Sequence, residues 1–290
     1  DTVSTFGSLS GSGGKWEGGV LAPNGKIYGT PHAADTVLKI DPTTDAVSTF
    51  GSLGGASAKW NSSVLAPNGM IYAAPNNATT ILKIDPTTDT VSTFGSVPAD
   101  SNKYMGSVLA PNGKIYCIPS ASTTVLKIDP TTDTVSTFGS VGVGSAKWYG
   151  GVLAPNGKIY CIPRVATTIL KIDPTTDTVS TFGSLGGASE YVGGVLAPNG
   201  KIYCIPYSGS DILEIDPITD STMIYPGVAG SVKWVFGVLA QNGSIYGIPA
   251  NSTSVLKISG IGDVTAAMYT IPSPISGIAT SVYNRHQNKL

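Results

Sequence analysis

Few side chains in this chain can do chemistry, and they stand out by departing from a rule their counterparts obey. His occurs twice, at His32 and His286, and Cys three times, at Cys117, Cys161 and Cys204. Most of the 18 acidic residues recur at fixed places in near-identical segments. Glu17, with Asn61, Met105, Tyr149, Val192 and Val235 in equivalent places, is an exception. A second variable position holds His32, Asn76, Ser120, Arg164, Tyr207 and Ala250. A carboxylate, an imidazole, a phenol, an amide and a guanidinium so distributed could bind an asymmetric ligand. Glu17, His32, Asn61, Tyr149 and Arg164 are therefore the candidate binding residues.

The same inventory argues against a dedicated reaction centre. Zinc takes clustered His and Cys, and here the cysteines are one per segment. A hard cation wants several converging oxygens, and only Glu17 and Asn61 stand where one strand position would deliver them. No glycine-rich phosphate loop opens a helix, and no Ser has a neighbouring base. The expectation is a non-enzymatic protein with no catalytic residue, no metal and no cofactor.

What must position these residues is a repeat. Asp-Thr-Val-Ser-Thr-Phe-Gly-Ser starts at Asp1, Asp89, Asp133 and Asp177, with a one-letter variant at Asp45 and degenerate copies at Asp220 and Asp263. The step is 44 residues, shortening to 43 for the last two. A unit this small cannot bury its own core, so the units must stack. Within residues 16–52, Gly19-Val-Leu-Ala22, Lys26-Ile-Tyr-Gly-Thr30, Thr36-Val-Leu-Lys-Ile40 and Ala46-Val-Ser-Thr-Phe50 read as four strands. The turns Ala22-Pro-Asn-Gly25 and Asp41-Pro-Thr-Thr-Asp45 carry the Pro, Asn, Asp and Gly that tight turns need. Four antiparallel strands per unit of this length predict an all-β fold, a β-propeller of four-stranded blades. Glycines in the first strand suit a crowded central axis.

The blades fall at about residues 16–52, 60–96, 104–140, 148–184, 191–227 and 234–270, in one domain over 1–290. Six blades is the favoured count and seven the alternative. A ring must close or leave edges unpaired, and residues 1–8, a fourth strand with no strands before it, are the candidate closing strand. Residues 271–290 are an extension or a partial blade that resembles a first strand.

The turns at one end of the blades are almost invariant, whereas the connections at the other end vary, which marks the variable end as the binding face. There a Lys-aromatic pair recurs, as Lys15-Trp16, Lys59-Trp60, Lys103-Tyr104, Lys147-Trp148 and Lys233-Trp234, with Glu190-Tyr191 the exception. Trp16, Trp60 and Trp148 could stack on sugars or wedge between blades. The lysines read as solvated charges. A protein partner on this face is ranked first and a glycan second.

Only 12% of residues are charged and the net charge is −1, which gives nucleic acid and anionic membranes nothing to hold. No apolar run is long enough to span a bilayer. Three unpaired cysteines at equivalent places lean toward a reducing intracellular compartment.

Ala22-Pro-Asn-Gly-Lys-Ile-Tyr28, Val37-Leu-Lys-Ile-Asp41 and Val47-Ser-Thr-Phe50 resemble the blades of NHL-repeat, YVTN-type and streptogramin-lyase-like propellers and, more distantly, gluconolactonase-like ones. The lyase-like propellers tend to carry an acidic residue just after strand two, where this chain has Pro in every blade, and the lactonase-like metal ring is not matched. The resemblance implies a ligand- or partner-binding propeller. The alternative it brings is a hydrolase or lyase with Glu17, Asn61 and His32 near a central channel holding a metal.

Overall fold

The computed structural model describes residues 3–9, 13–56, 58–187, 190–227, 230 and 232–262. Six antiparallel sheets follow one another along the chain, each built in sequence order as a simple meander. Among the described residues five have four strands, the sixth has three, and there is no helix. This is the β-propeller predicted from the repeat. The proposed fourth strand of the sixth blade, residues 263–270, and the extension 271–290 lie outside the described residues.

The first strands, Trp16–Leu21, Trp60–Leu65, Tyr104–Leu109, Trp148–Leu153, Tyr191–Leu196 and Trp234–Leu239, pack against one another in succession around the axis. Fit there depends on glycine. A Cβ on Gly106 would stand 2.9 Å from the Cα of Gly150 in the next blade. Outer strands such as Thr134–Phe138 mix exposed and half-buried residues, with none fully buried, as the rim of a ring should.

Each joint between blades is a core of its own. Between blades three and four, for example, Val108, Tyr116, Ile118 and Val125 meet Trp148, Ile159, Cys161 and Leu170. Five such joints exist, from blade one to blade six. The three cysteines are buried and free, and burial pushes their thiols well above the usual range.

The nearly invariant Asp-Pro-Thr-Thr-Asp turn, Asp-Pro-Ile-Thr-Asp at residues 216–220, is a second fastening. The hydroxyl of Tyr116 donates to the Pro174 carbonyl at 3.2 Å and the Asp177 carboxylate at 2.8 Å, both on the next blade. Lys127 pairs with the same carboxylate. Tyr28, Tyr72 and Tyr160 repeat this with Asp89, Asp133 and Asp220. The closing Asp of each turn (Asp45, Asp89, Asp133, Asp177, Asp220) sits at φ 52 to 56°, a left-handed conformation that Asp tolerates better than most residues. The motif that dominates the sequence is thus a blade-to-blade fastening at the end opposite the variable loops.

Candidate functional site at the channel mouth

A bulge in each first strand builds the variable end of the channel. Trp16 faces Pro31 and Gly19 faces Gly29, so the first strand carries one residue more than its partner. The same slip occurs in the other five blades. One residue in each bulge is left-handed: Gly18, Ser62, Gly106, Gly150, Gly193 and Phe236, at φ 61 to 107°. The residue before it is the variable position of Glu17, Asn61, Met105, Tyr149, Val192 and Val235. Bulges re-aim side chains, and this one sets that position apart from the strict alternation of the strand.

A belt of backbone hydrogen bonds holds the second variable position. The His32 amide donates to the Lys15 carbonyl, and the Lys59 amide donates to the His32 carbonyl. The chain of donors runs on through Asn76, Lys103, Ser120, Lys147, Arg164, Glu190, Tyr207 and Lys233 to Ala250, at 2.6–3.1 Å per link. Every residue after the strand-two Pro is a link. The belt fixes the backbone while leaving the side chain free to differ from blade to blade.

On this frame, four of the five candidate residues come together. The Glu17 carboxylate lies 3.4 Å from Nε2 of His32, through Oε2, and its Oε1 accepts from the Tyr149 hydroxyl at 3.4 Å. Glu17 belongs to blade one and Tyr149 to blade four, so the contact spans the channel. Nδ1 of His32 is 3.3 Å from the Gly14 carbonyl. Both ring nitrogens thus face oxygen atoms. The Glu17 and His32 side chains are 26% and 25% exposed, open enough for a ligand to reach.

Arg164 completes the group. Its guanidinium lies 5.5 Å from the ring centre of Tyr149 and 5.9 Å from that of Tyr207. Among the described residues no carboxylate pairs with it. Phe236 packs on Tyr149 at 6.4 Å. Tyr207 and Phe236 escaped the sequence reading of the site. Phe236 carried a signal nonetheless, being a bulky residue where the other blades place Gly or Ser.

The fifth candidate, Asn61, is buried. Asn76 in the same blade is also buried. Its amide nitrogen is 3.5 Å from the Met105 sulfur, and its Oδ1 has no partner. The tryptophans take the structural of their two expected roles. Trp60 and Trp148 are 3% exposed and sit in the cores they share with the preceding blade, and Trp16 is half-buried. Their indole N–H groups donate to the carbonyls of Thr80, Thr168 and Thr36. Trp60 and Trp148 present no exposed face.

The lysines depart from expectation. Lys59, Lys103, Lys147 and Lys233 are buried, not solvated. Their Nζ atoms donate to loop carbonyls, including Ala56 (2.8 Å), Asp100 (2.6 Å), Gly144 (3.0 Å) and Gly230 (2.8 Å). Desolvation holds each ammonium below its usual range. A repeated Lys beside a repeated aromatic looks the same in sequence whether it faces water or staples a loop.

Among the described residues no three His, Cys, Asp or Glu side chains converge as a metal set, and Glu17 and His32 are the ionisable donors of the mouth.

The repeat family described as a repeat of unknown function (DUF6923) matches residues 1–132. No curated protein sequence matches the chain. Among solved structures, virginiamycin B lyase from Staphylococcus aureus superposes with a TM-score of 0.72 at 14% identity, covering 84% of this chain and 81% of that one. A catalytically inactive form of that enzyme with quinupristin gives 0.70 at 12% identity, covering 86% and 83%. A streptogramin B lyase gives 0.67 at 16% identity, covering 85% and 84%. At these identities the likeness is one of fold. The chain is a propeller repeat protein with the fold found in streptogramin B lyases.

Proposed function

We propose that this propeller binds a small anionic ligand at the variable mouth of its channel. The observation that carries this reading is Arg164. Its guanidinium lies beside two tyrosine rings with no described carboxylate to neutralise it. Such a group offers paired N–H donors to a carboxylate or phosphate. Glu17, His32 and Tyr149 give the site a polar second side and make it asymmetric. A small ligand suits this arrangement better than the protein partner ranked first from sequence, because Glu17, Tyr149 and Arg164 engage residues of other blades around the channel. The glycan reading loses its platform with the burial of Trp60 and Trp148.

The test is calorimetric titration of the full chain with a panel of small mono- and dicarboxylates and phosphate monoesters. At least one should bind with micromolar to millimolar affinity, and Arg164→Ala should weaken it roughly tenfold or more, as loss of a charged hydrogen bond does. Binding that is indifferent to Arg164→Ala would sink the proposal.

The Glu17–His32 pair favours a second reading, a lyase. A carboxylate beside an imidazole can take and return a proton, and the fold is one that streptogramin B lyases share. Incubation with quinupristin, followed by chromatography, tests it. Turnover that His32→Ala abolishes would support the reading, and an unchanged substrate peak would reject it for that compound.

A further inference from the structure

The mouth is lopsided. At the first variable position, blades one, two and four supply Glu17, Asn61 and Tyr149, whereas blades three, five and six supply Met105, Val192 and Val235. Met105 and Val235 are half-buried and Val192 is buried. Next to Val235 stands Phe236, the one bulky side chain in the left-handed place of the bulge. The other five blades put Gly or Ser there. A left-handed backbone (φ 61°) costs a bulky residue free energy that glycine escapes. Strain of this kind persists only where the surrounding structure imposes it, and it gathers at ligand sites.

The ring of Phe236 reaches out over its neighbours. A Cβ on Gly193, its counterpart in blade five, would stand 2.7 Å from Phe236 Cδ1. Its centroid lies 6.4 Å from that of Tyr149 in blade four, with the two rings tilted by 44°. Phe236 thus passes over one blade to touch the next, and it stays half-buried. Tyr149 is the hub of the mouth. Its ring packs on Phe236 and has the Arg164 guanidinium 5.5 Å away, and its hydroxyl donates to Glu17 at 3.4 Å. The Tyr207 ring is 5.9 Å from the same guanidinium. A positive charge and an aromatic wall therefore meet at one tyrosine ring.

We propose that the anion taken at this mouth is an aromatic carboxylate, with its carboxylate on Arg164 and its ring against Phe236 and Tyr149. This inference rests on the anionic-ligand reading above and narrows it to a chemical class. Paired N–H donors fix a carboxylate in the plane of the guanidinium. An aromatic ring on Phe236 and Tyr149 gains from offset or edge-on packing beyond the area it buries, whereas a saturated ring of equal size gains only the area. Met105, Val192 and Val235 give the same half of the mouth no charge and no strong hydrogen-bonding group, so the body of the ligand there is apolar. Phe236 is thus the specificity-determining residue. It selects the body of the ligand, and Arg164 selects its charge.

Calorimetric titration of the full chain with acetate, cyclohexylacetate and phenylacetate tests this. Phenylacetate should bind roughly tenfold tighter than acetate or more, and several-fold tighter than cyclohexylacetate. Phe236→Gly installs the residue that blades one, three, four and five carry, so the fold has a precedent for it. It should bring phenylacetate down toward the affinity of acetate. Phe236→Leu, which keeps bulk without the aromatic ring, should erase the preference for phenylacetate over cyclohexylacetate. A preference that survives both substitutions overturns the assignment. Equal binding of the three probes, weakened alike by Arg164→Ala, also overturns it while the anion reading stands. Absence of binding by all three overturns the aromatic carboxylate, and phosphate monoesters then decide the anion reading separately. Binding indifferent to Arg164→Ala overturns both.

Discussion

At the scale of single residues, two kinds of position share each blade. Invariant ones fasten blades together, and variable ones face the mouth. Tyr116 is of the first kind: fully buried, with its hydroxyl donating to both Pro174 and Asp177 across a joint. Tyr116→Phe keeps the ring and strands the acceptors. We expect a loss of about 1–2 kcal/mol in denaturant unfolding, with the slope unchanged. A stability equal to wild type would remove the fastening role. Arg164 is of the second kind, and Arg164→Ala should leave stability within about 0.5 kcal/mol, as a partly exposed substitution does. That separation between binding and stability distinguishes a site from a strut. The two kinds were only partly separable in sequence. Variation at Glu17, His32, Tyr149 and Arg164 was visible there. That Asn61 is buried and that Lys103 staples a loop depends on which way each side chain leaves the strand, and the bulge decides that.

At the scale of elements, the bulge in the first strand is the device that matters. It needs one left-handed residue per blade and almost no side chain at the closest approach of neighbours. Gly106 meets both demands, with φ at 107° and the Gly150 Cα behind it. Gly106→Ala should cost about 2–4 kcal/mol, combining backbone strain with a clash against main chain that cannot yield. Gly157→Ala is the comparison, since a Cβ there meets nothing within 4 Å and only the left-handed backbone (φ 77°) resists. It should cost about 1 kcal/mol. Equal melting temperatures for the two variants would contradict the crowded-axis account. Strand positions and turns were legible because Pro, Asn and Gly punctuate every blade. The bulge was not, because a glycine pair before Val-Leu reads equally well as plain strand.

At the scale of the whole molecule, fold and repeat were legible from a fixed period and turn chemistry. Ionisable fastenings also set the pH limits of the ring. Burial, with the Asp89 carboxylate adding to it, pushes the Tyr28 phenol up to about 12 from 10.0, despite an opposing hydrogen bond from Asn24, and its equivalents rise in the same direction. A folded value above the unfolded one means a contribution intact below pH 10 and lost as pH rises toward 12. The Lys26 ammonium and the Thr43 amide hold Asp41 down to about 2 from 3.8, so its contribution is present above pH 4 and lost as pH falls toward 2. Melting temperature should therefore fall at both extremes. The buried lysines act in the opposite sense on the alkaline side, so the tyrosine share is read as a difference: Tyr116→Phe should flatten the decline above pH 10. An identical alkaline limb in wild type and variant would contradict it. The central claim, a ligand site at the mouth joining Arg164 to the Glu17–His32 pair, has a direct spectroscopic reporter, because the chain holds only two histidines. Imidazole resonances should be followed during titration with the best-binding carboxylate or phosphate probe. His32 should shift to saturation, and Arg164→Ala should suppress the shift. A probe that saturates the protein and leaves His32 unmoved would contradict the account.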